Sequence, residues 1–169
     1  MTSDHRTGPP HFGSERDMLR AFLDYHRDTL AMKCAGLTDE ELRQRSMPPS
    51  TLSLLGLVRH LAEVERTWFR RVFEDHDIPL VWSDEMDFQV AYDASASTRA
   101  EAFAAWEAEV AESRRIEREA ASLDRVGYQP RWEEEVSLRM VMLHVLLEYG
   151  RHNGHADLLR EGVDGTVGA

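Results

Sequence analysis

Four ionisable side chains fall on one face of a strongly apolar stretch near the end of the chain. His144, Glu148, His152 and His155 are spaced by four, four and three residues, which places them on a single stripe of an α-helix. Leucines and valines surround them, so the stripe is predicted to face a core. A buried carboxylate costs free energy unless it is paired or bound to a cation. The pattern therefore predicts a divalent metal site on this helix.

An earlier helical segment offers the remaining ligand. His60 shares a helix face with the apolar Leu57 and Val64, so its imidazole is expected to point inward. One histidine from this segment, together with Glu148 and His152, gives three ligands and leaves positions open for water or substrate. The hypothesis is a metal ion held by His60, Glu148 and His152. No residue is assigned a catalytic or thiol-binding role.

Ordinary structural roles account for parts of the same pattern. A lone inward histidine is more often a hydrogen-bonded core residue than a ligand. Glu148 could simply pair with Arg151 or Arg59, since a glutamate and a histidine four residues apart are common in helices. Glu63, one turn after His60, could accept a hydrogen bond from a ligand or be solvated. The residues alone leave these alternatives open.

The other histidines are assigned weaker roles. His144 could be a fourth ligand or a core histidine held by hydrogen bonds, and His155 is better placed to support a ligand than to be one. Three histidines fall in loops or near the N-terminus and are expected to be exposed and without function: His5, His11 and His76.

Four long helical segments must position these residues. Apolar side chains recur at steps of three and four residues over 15–35, 53–74, 98–122 and 137–161. Ser14 and Thr98 are expected to cap helices, Gly162 is placed to end the last one, and a short helical turn is expected at 38–44. No strand pattern competes. The sequence predicts an all-α, up-down four-helix bundle.

Two long connections interrupt the helices, at 75–97 and 123–136. Because stretches of more than about 15 residues without periodicity are uncommon, the first is expected to be a functional loop or lid. A pocket beside the metal, walled by Trp82, Phe88 or Trp132, would favour an enzyme. A site sealed by side chains would favour a structural ion.

Composition bounds the remaining organisation. Residues 1–13 are expected to form a flexible leader, 14–162 a metal-binding bundle and 163–169 a flexible tail. The net charge of −11 argues against an extended nucleic-acid groove, although local cationic patches remain compatible with it. No apolar run approaches the roughly 18–20 residues that a membrane span needs. A single cysteine, Cys34, precludes an intrachain disulfide and fits a reducing cytoplasm. Exposed helix faces would allow a homodimer.

Two stretches resemble a known family. The stretch LVRHLAEVERTW at 57–68 resembles the second-helix signature of the DinB/YfiT-like metalloenzymes, and EYGRHNGHADLLRE at 148–161 resembles the fourth-helix signature of the mini-circle protein branch. The resemblance covers nearly the whole chain after the leader and implies a four-helix bundle with a metal between helices. Many members carry three histidine ligands. Glu148 instead is similar to the mycothiol-dependent maleylpyruvate isomerase branch, with its His, Glu, His set.

The resemblance also implies activity with a low-molecular-weight thiol such as mycothiol or bacillithiol. A divalent metal would bind that thiol as a thiolate, which attacks an electrophilic carbon. Zn²⁺ suits these ligands best, and Ni²⁺, Fe²⁺ or Mn²⁺ could occupy the same site. The leading hypothesis is a metal-dependent S-transferase acting on small electrophiles. The alternatives are a thiol-dependent isomerase of the maleylpyruvate type, and a metal-binding, stress-associated protein without turnover.

Overall fold

The computed structural model describes residues 6–168, and most of them are helical. The α-helices are α1 (Glu15–Lys33), α2 (Asp39–Arg43), α3 (Leu54–Glu65), α4 (Arg99–Glu119) and α5 (Leu138–Asp164). The other elements are a π-helix (Arg66–Phe73), a 3₁₀ helix (Phe88–Tyr92) and two strands, β1 (Val126–Gln129) and β2 (Glu134–Ser137). His5 lies outside the described residues, and so do the other residues of 1–5 and residue 169.

Each α-helix begins at a hydroxyl side chain that caps it. The Ser14 hydroxyl accepts a hydrogen bond from the Asp17 backbone N–H, as predicted. Thr38 and Thr98 form complete capping boxes with Glu41 and Glu101, so two otherwise unsatisfied N–H groups are bonded at each start. The hydroxyls of the residues before α3 and α5 act in the same way. The starts of the helices can therefore be predicted from the local sequence.

The end of the last helix was predicted wrongly. Helix α5 runs through Gly162 to Asp164, and Gly165 ends it in the left-handed conformation with a φ of 76°. A side chain at Gly162 would lie 2.9 Å from the Cβ of Ser46. Gly162 is therefore a point of close packing inside the helix rather than its stop signal.

The connection at 123–136 contains a β-hairpin that the sequence did not predict. Strands β1 and β2 pair antiparallel, with Gly127 opposite Val136 and Gln129 opposite Glu134. Each strand has only four residues, and its burial does not alternate cleanly. Short strands without a clear period of two give almost no sequence signal, which explains the missed prediction.

The helices do not simply alternate in direction. Arg66 forms a salt bridge with Glu109, and Glu74 forms one with Arg115, so residue numbers rise together along α3 and α4. These two helices run parallel, and the up-down order predicted between them is wrong. Parallel neighbours need a connection that returns along their whole length. That requirement explains why 25 residues, 74–98, lie between the π-helix that continues α3 and the start of α4.

The core forms from the apolar faces of the four long helices. Its fully buried members include Leu30, Leu57, Leu61, Ile116 and Leu138. The predicted inward face of α3 is confirmed, because its apolar side chains are almost completely withdrawn from solvent. Among residues 6–168, none of the helices has both the length and the apolar character needed to cross a membrane.

A buried polar network links all four long helices. Arg27 of α1 donates two hydrogen bonds of 2.9 Å to the carboxylate of Glu65 on α3. Tyr149 of α5 donates to the same carboxylate at 2.8 Å and accepts from the indole N–H of Trp106 on α4 at 2.7 Å. Burial and the charge of Glu65 raise the pKa of Tyr149, so its hydroxyl stays protonated as a donor. The network fixes how the four helices meet.

Substitution of Tyr149 by Phe tests this network. The change removes one hydroxyl, leaves the Trp106 N–H without its acceptor and takes one donor from Glu65. We expect the free energy of unfolding to fall by about 1–3 kcal/mol, measured by urea denaturation. Tyr128→Phe is the matched control, because Tyr128 is exposed in the hairpin, and it should stay within about 0.5 kcal/mol of the parent. Equal stability of both variants would contradict the role given to the network.

Candidate metal centre

The three predicted ligands converge at one point between α3 and α5. The Nε2 atoms of His60 and His152 each lie 3.4 Å from Oε2 of Glu148. One ligand atom from each residue lies within 4.8 Å of the other two. Glu148 and His152 lie close together because they are one helical turn apart on α5. His60 lies beside them because α3 packs against α5.

Antiparallel packing of α3 and α5 sets this arrangement. In the middle of α3, the ring of His60 lies 4.6 Å from that of His152. In the π-helix that continues α3, the ring of Trp68 lies 3.9 Å from that of His144. Residue numbers therefore run in opposite directions along the two helices. The register between them places His60 opposite the Glu148–His152 turn.

The protonation states of His60 and Glu148 suit a cation. Burial lowers the pKa of His60 below 6.5, although its hydrogen bond with Glu148 opposes that shift. Hydrogen bonds from His152 and His60 hold the pKa of Glu148 far below its usual value despite partial burial. A neutral imidazole has a free lone pair, and an ionised carboxylate supplies negative charge. These are the forms that bind a divalent metal.

Neighbouring rings orient both histidines. The Nδ1 atom of His155 lies 3.2 Å from Nδ1 of His152, so His155 contacts the ring nitrogen of His152 that faces away from Glu148. A partner at that nitrogen fixes the tautomer and the orientation of a ligating imidazole. Tyr92 stacks on His60 at 4.5 Å with an interplanar angle of 16°. Sequence reasoning missed Tyr92, because its position depends on the path of the connection and not on a motif.

His144 lies beside the group rather than within it. Its Nε2 is 3.8 Å from Oε1 of Glu148, while its ring packs on Trp68. Burial lowers the pKa of His144, and the charge of Glu148 acts against that shift. The sequence left open whether this residue is a fourth ligand. In the structure, His144 lies nearest to Oε1 of Glu148, whereas His60 and His152 both lie nearest to Oε2.

The competing partners considered for Glu148 are used elsewhere or stay apart. Arg59 donates to the backbone oxygens of Val90 and Ala91 and to the hydroxyl of Ser97, and it stacks over Trp82 at 4.0 Å. No salt bridge joins Arg59 or Arg151 to Glu148 within residues 6–168. The interpretation of Glu148 as half of an arginine salt bridge is therefore wrong.

Glu63 anchors the connection instead of supporting a ligand. Its carboxylate accepts hydrogen bonds from the backbone N–H of Val81 at 2.9 and 3.0 Å and from that of Trp82 at 3.3 Å. Burial raises the pKa of Glu63, and these N–H groups counteract the rise. Neither the solvated role nor the support of His60 is what the structure shows. Glu63 ties the returning chain to α3 one turn beyond His60.

A cavity of about 630 Å³ opens beside the centre. His60, Glu148 and His144 line one side, and the rings of Trp68, Phe88 and Trp132 contribute apolar surface. The cavity is large enough for a small organic ligand. Of the three aromatic residues predicted to wall it, Phe88 and Trp132 do so. Trp82 does not line it, because its indole N–H donates to the backbone oxygen of Arg59 at 2.9 Å.

The loop histidines divide between the cavity and the surface. His76 is exposed as predicted, but it also lines the cavity at its outer side. His11 is exposed, and it does not line this cavity. Exposure is therefore confirmed for both residues, and His76 in addition contributes to the cavity wall.

The chain is similar to known proteins over most of its length. A family model described as mycothiol-S-transferase matches residues 18–165. A crystal structure of a conserved protein from Enterococcus faecalis superposes with a TM-score of 0.65, at 16% identity, over 92% of this chain and 100% of that chain. At that identity the likeness establishes the fold alone. No curated protein sequence matches this chain significantly.

The hairpin that carries Trp132 into the cavity wall depends on a glycine. A Cβ at Gly127 would lie 2.5 Å from the Cα of Phe73 and 2.6 Å from the backbone oxygen of Val72. These are backbone atoms of the π-helix, so they cannot rotate away. The absence of a side chain at Gly127 lets β1 rest directly on the helix that forms the opposite wall.

Two alanine substitutions distinguish the effect of this close contact on stability from the effect of replacing any glycine by alanine. Gly127→Ala should lower the free energy of unfolding by about 2–4 kcal/mol, because the hairpin must lift off the π-helix. Gly150→Ala is the control, since a Cβ there meets nothing within 4 Å and replaces a helical glycine. That control should be neutral or stabilising by up to about 1 kcal/mol. Urea denaturation measures both, and a neutral Gly127→Ala would show that the hairpin is not docked this way.

Proposed function

The chain belongs to the mycothiol S-transferase family, and on that basis we propose that it transfers the sulfur of a low-molecular-weight thiol to a small electrophile. The observation that carries the proposal is the 630 Å³ cavity, which opens onto His60 and Glu148 instead of being filled by side chains. We further infer that the four long helices form the four-helix bundle typical of DinB/YfiT-like proteins. Residues 14–162 would make up its metal-binding unit.

The donor set fits a divalent cation. Two imidazole nitrogens and a carboxylate oxygen converge, and the cavity adjoins them, which matches three protein ligands with room for a further one. We propose that His60, Glu148 and His152 hold the ion, with Zn²⁺ as the first choice and Ni²⁺, Fe²⁺ or Mn²⁺ as alternatives. Such an ion, when bound, lowers the pKa of a coordinated thiol so that it is held as a thiolate at neutral pH.

The chain's own thiol is unsuited to act as the nucleophile. Cys34 is completely buried, and burial raises its pKa to about 12, so at neutral pH almost none of it is thiolate. The sulfur must then come from a cosubstrate, which agrees with the family. A free, buried cysteine without a disulfide partner also fits the proposed location in a reducing cytoplasm.

The other side chains around the centre can bind the electrophile or position the metal ligands. Trp68, Phe88 and Trp132 present apolar surface that can bind the organic part of an electrophile and exclude water around it. His155 and Tyr92 hold the two histidines in place. In the overall reaction the thiol loses its proton, a carbon–sulfur bond forms, and the leaving group departs with the electron pair of its bond to carbon.

The isomerase alternative has one supporting observation, which is the glutamate in the ligand set. In that reaction the thiolate would add to a double bond and leave again after rotation, so the thiol would be regenerated. A transferase consumes the thiol. The open cavity argues against the third alternative, a metal-binding protein without turnover, because a structural ion needs no adjoining space.

Metal binding provides the first test. Metal-stripped protein titrated with Zn²⁺ should bind about one equivalent, and His60→Ala and His152→Ala should each weaken binding by more than about 100-fold, since loss of an outer partner alone costs 10–100-fold. His11→Ala removes an exposed histidine and should bind like the parent. Elemental analysis after dialysis gives the stoichiometry, and circular dichroism verifies that each variant is folded. Equal metal content in the parent and all three variants would contradict the proposed metal site.

Turnover provides the second test. The metal-loaded protein is incubated with mycothiol and a chlorinated arene, and conjugate and released chloride are measured. We expect equimolar conjugate and chloride, with kcat/KM reduced at least about 100-fold in His152→Ala. Glutathione serves as the thiol control. Geometric isomerisation of a maleyl compound with no net loss of thiol would instead establish the isomerase, and absence of both activities with every cellular thiol would leave a binding protein.

A further inference from the structure

A second cavity, of about 320 Å³, lies at the start of α3 and shares no lining residue with the first. Its lining consists of Arg43, Arg45, Ser53, Tyr92, Ala94 and Ser95. These residues come from the end of α2, the cap of α3 and the returning connection. Two arginines and two serines supply basic and polar groups here, whereas the first cavity is lined by aromatic rings together with histidines and acidic side chains.

Among residues 6–168, the two arginines that line this cavity form no salt bridge. Arg43 donates to the backbone oxygen of Ser97 at 2.8 Å, and Arg45 is exposed. Within the described part of the chain, neither forms a salt bridge, and Arg59, which also reaches Ser97, forms none. The chain carries 31 acidic residues against 20 lysines and arginines, so arginines left without carboxylates are unexpected. Their positive charge is available to a ligand.

The other groups at the cavity can also donate hydrogen bonds. The hydroxyl of Ser53, only 3% exposed, accepts the Gly56 N–H at 3.1 Å, and its own hydrogen has no acceptor among residues 6–168. The Tyr92 hydroxyl makes no hydrogen bond within the same range, whereas the side chain of Ser95 interacts with the Asp93 carboxylate. The N-terminus of α3 begins here and adds partial positive charge. Guanidinium and hydroxyl donors together match the acceptor oxygens of an anion.

Three acidic groups act on this cluster, namely Asp93, Glu101 and Glu63. Asp93, which faces Arg45 and Arg59, is exposed and accepts the Ser95 backbone N–H at 3.1 Å. Glu101 acts on Arg59 but is bound in the capping box of α4. Glu63, like Glu101, acts on Arg59, which does not line the cavity. The two lining arginines, Arg43 and Arg45, therefore face one carboxylate, that of Asp93.

We propose that this second cavity binds a small oxyanion, with a phosphate group held by Arg43 and Arg45 and by the hydroxyls of Ser53 and Tyr92. The phosphate is either free or part of a small phosphorylated molecule. Because Tyr92 also stacks on His60, the bound anion lies one ring away from the candidate metal centre. Apart from Tyr92, whose ring stacks on His60, the residues of this site take no part in the proposed transferase chemistry.

Calorimetric titration of the full-length protein tests the proposal. Inorganic phosphate is titrated at constant ionic strength balanced with chloride, because screening would otherwise mimic specific binding. We expect saturable binding that Arg45→Gln weakens by about tenfold or more, as loss of a charge-assisted contact should. Arg45 is exposed and makes no hydrogen bond through its side chain within the described residues, so this variant should fold normally. Arg43→Gln should weaken binding similarly.

The control and the comparison ligands make the outcome decisive. Arg118→Gln removes an equally exposed arginine from α4 and should change phosphate affinity by less than about twofold. Glycerol phosphate in place of inorganic phosphate distinguishes an ester from the free ion, and tighter binding of either supports the site. Three results would overturn it: no saturable binding, equal loss in Arg118→Gln, or tighter binding of acetate than of phosphate. The assay uses neither thiol nor metal, so its failure leaves the transferase proposal untouched.

Discussion

The buried carboxylate of Glu65 is the constraint on which the arrangement of the long helices depends. An unpaired charge without exposure to solvent would be strongly destabilising, and Arg27 and Tyr149 supply three hydrogen bonds to it from two other helices. Trp106 completes the set from the fourth helix. Because Tyr149 directly follows Glu148, the network also fixes the rotation and the height of α5. It thereby sets the turn that presents Glu148 and His152 to His60.

The parallel course of α3 and α4 has a comparable influence on the site. The chain leaves the π-helix at one end of the molecule and must return to the other end before α4 can begin. On the way it is tied to α3 by Glu63 and Arg59, and it delivers Phe88 to the large cavity and Tyr92 to the face of His60. A connection that only joined two neighbouring helix ends could be far shorter. Residues of this long connection contribute to the lining of both cavities.

The distribution of charge separates these two cavities. The large one combines aromatic surface with the negative Glu148, which suits a cation and an organic ligand beside it. The smaller one combines guanidinium groups and hydroxyls, which suit an anion. Tyr92 is common to His60 and the smaller cavity, so its ring forms the physical link between them. An acidic chain thus keeps a local basic surface where the connection passes the start of α3.

The sequence by itself determined the features that repeat within a few residues. Helix caps, the inward faces of the long helices and the stripe of His144, Glu148 and His152 follow from hydrogen bonds and periodicities inside one helix. His60 was also found, because an inward histidine on an apolar face gives a local signal. The same reasoning combined His60 with Glu148 and His152 as a ligand set. The resemblance to DinB/YfiT-like proteins was a separate prediction, and the family match agrees with it.

Only the tertiary structure decided what depends on residues far apart in the chain. Four such features have no periodic pattern in the sequence. They are the parallel direction of α3 and α4, the docking of the hairpin through Gly127, the anchoring role of Glu63 and the stack of Tyr92 on His60. Each results from the packing of elements separated by long connections. A helix face can be derived from its own residues, but which surface it meets, and in which register, depends on how the whole core closes.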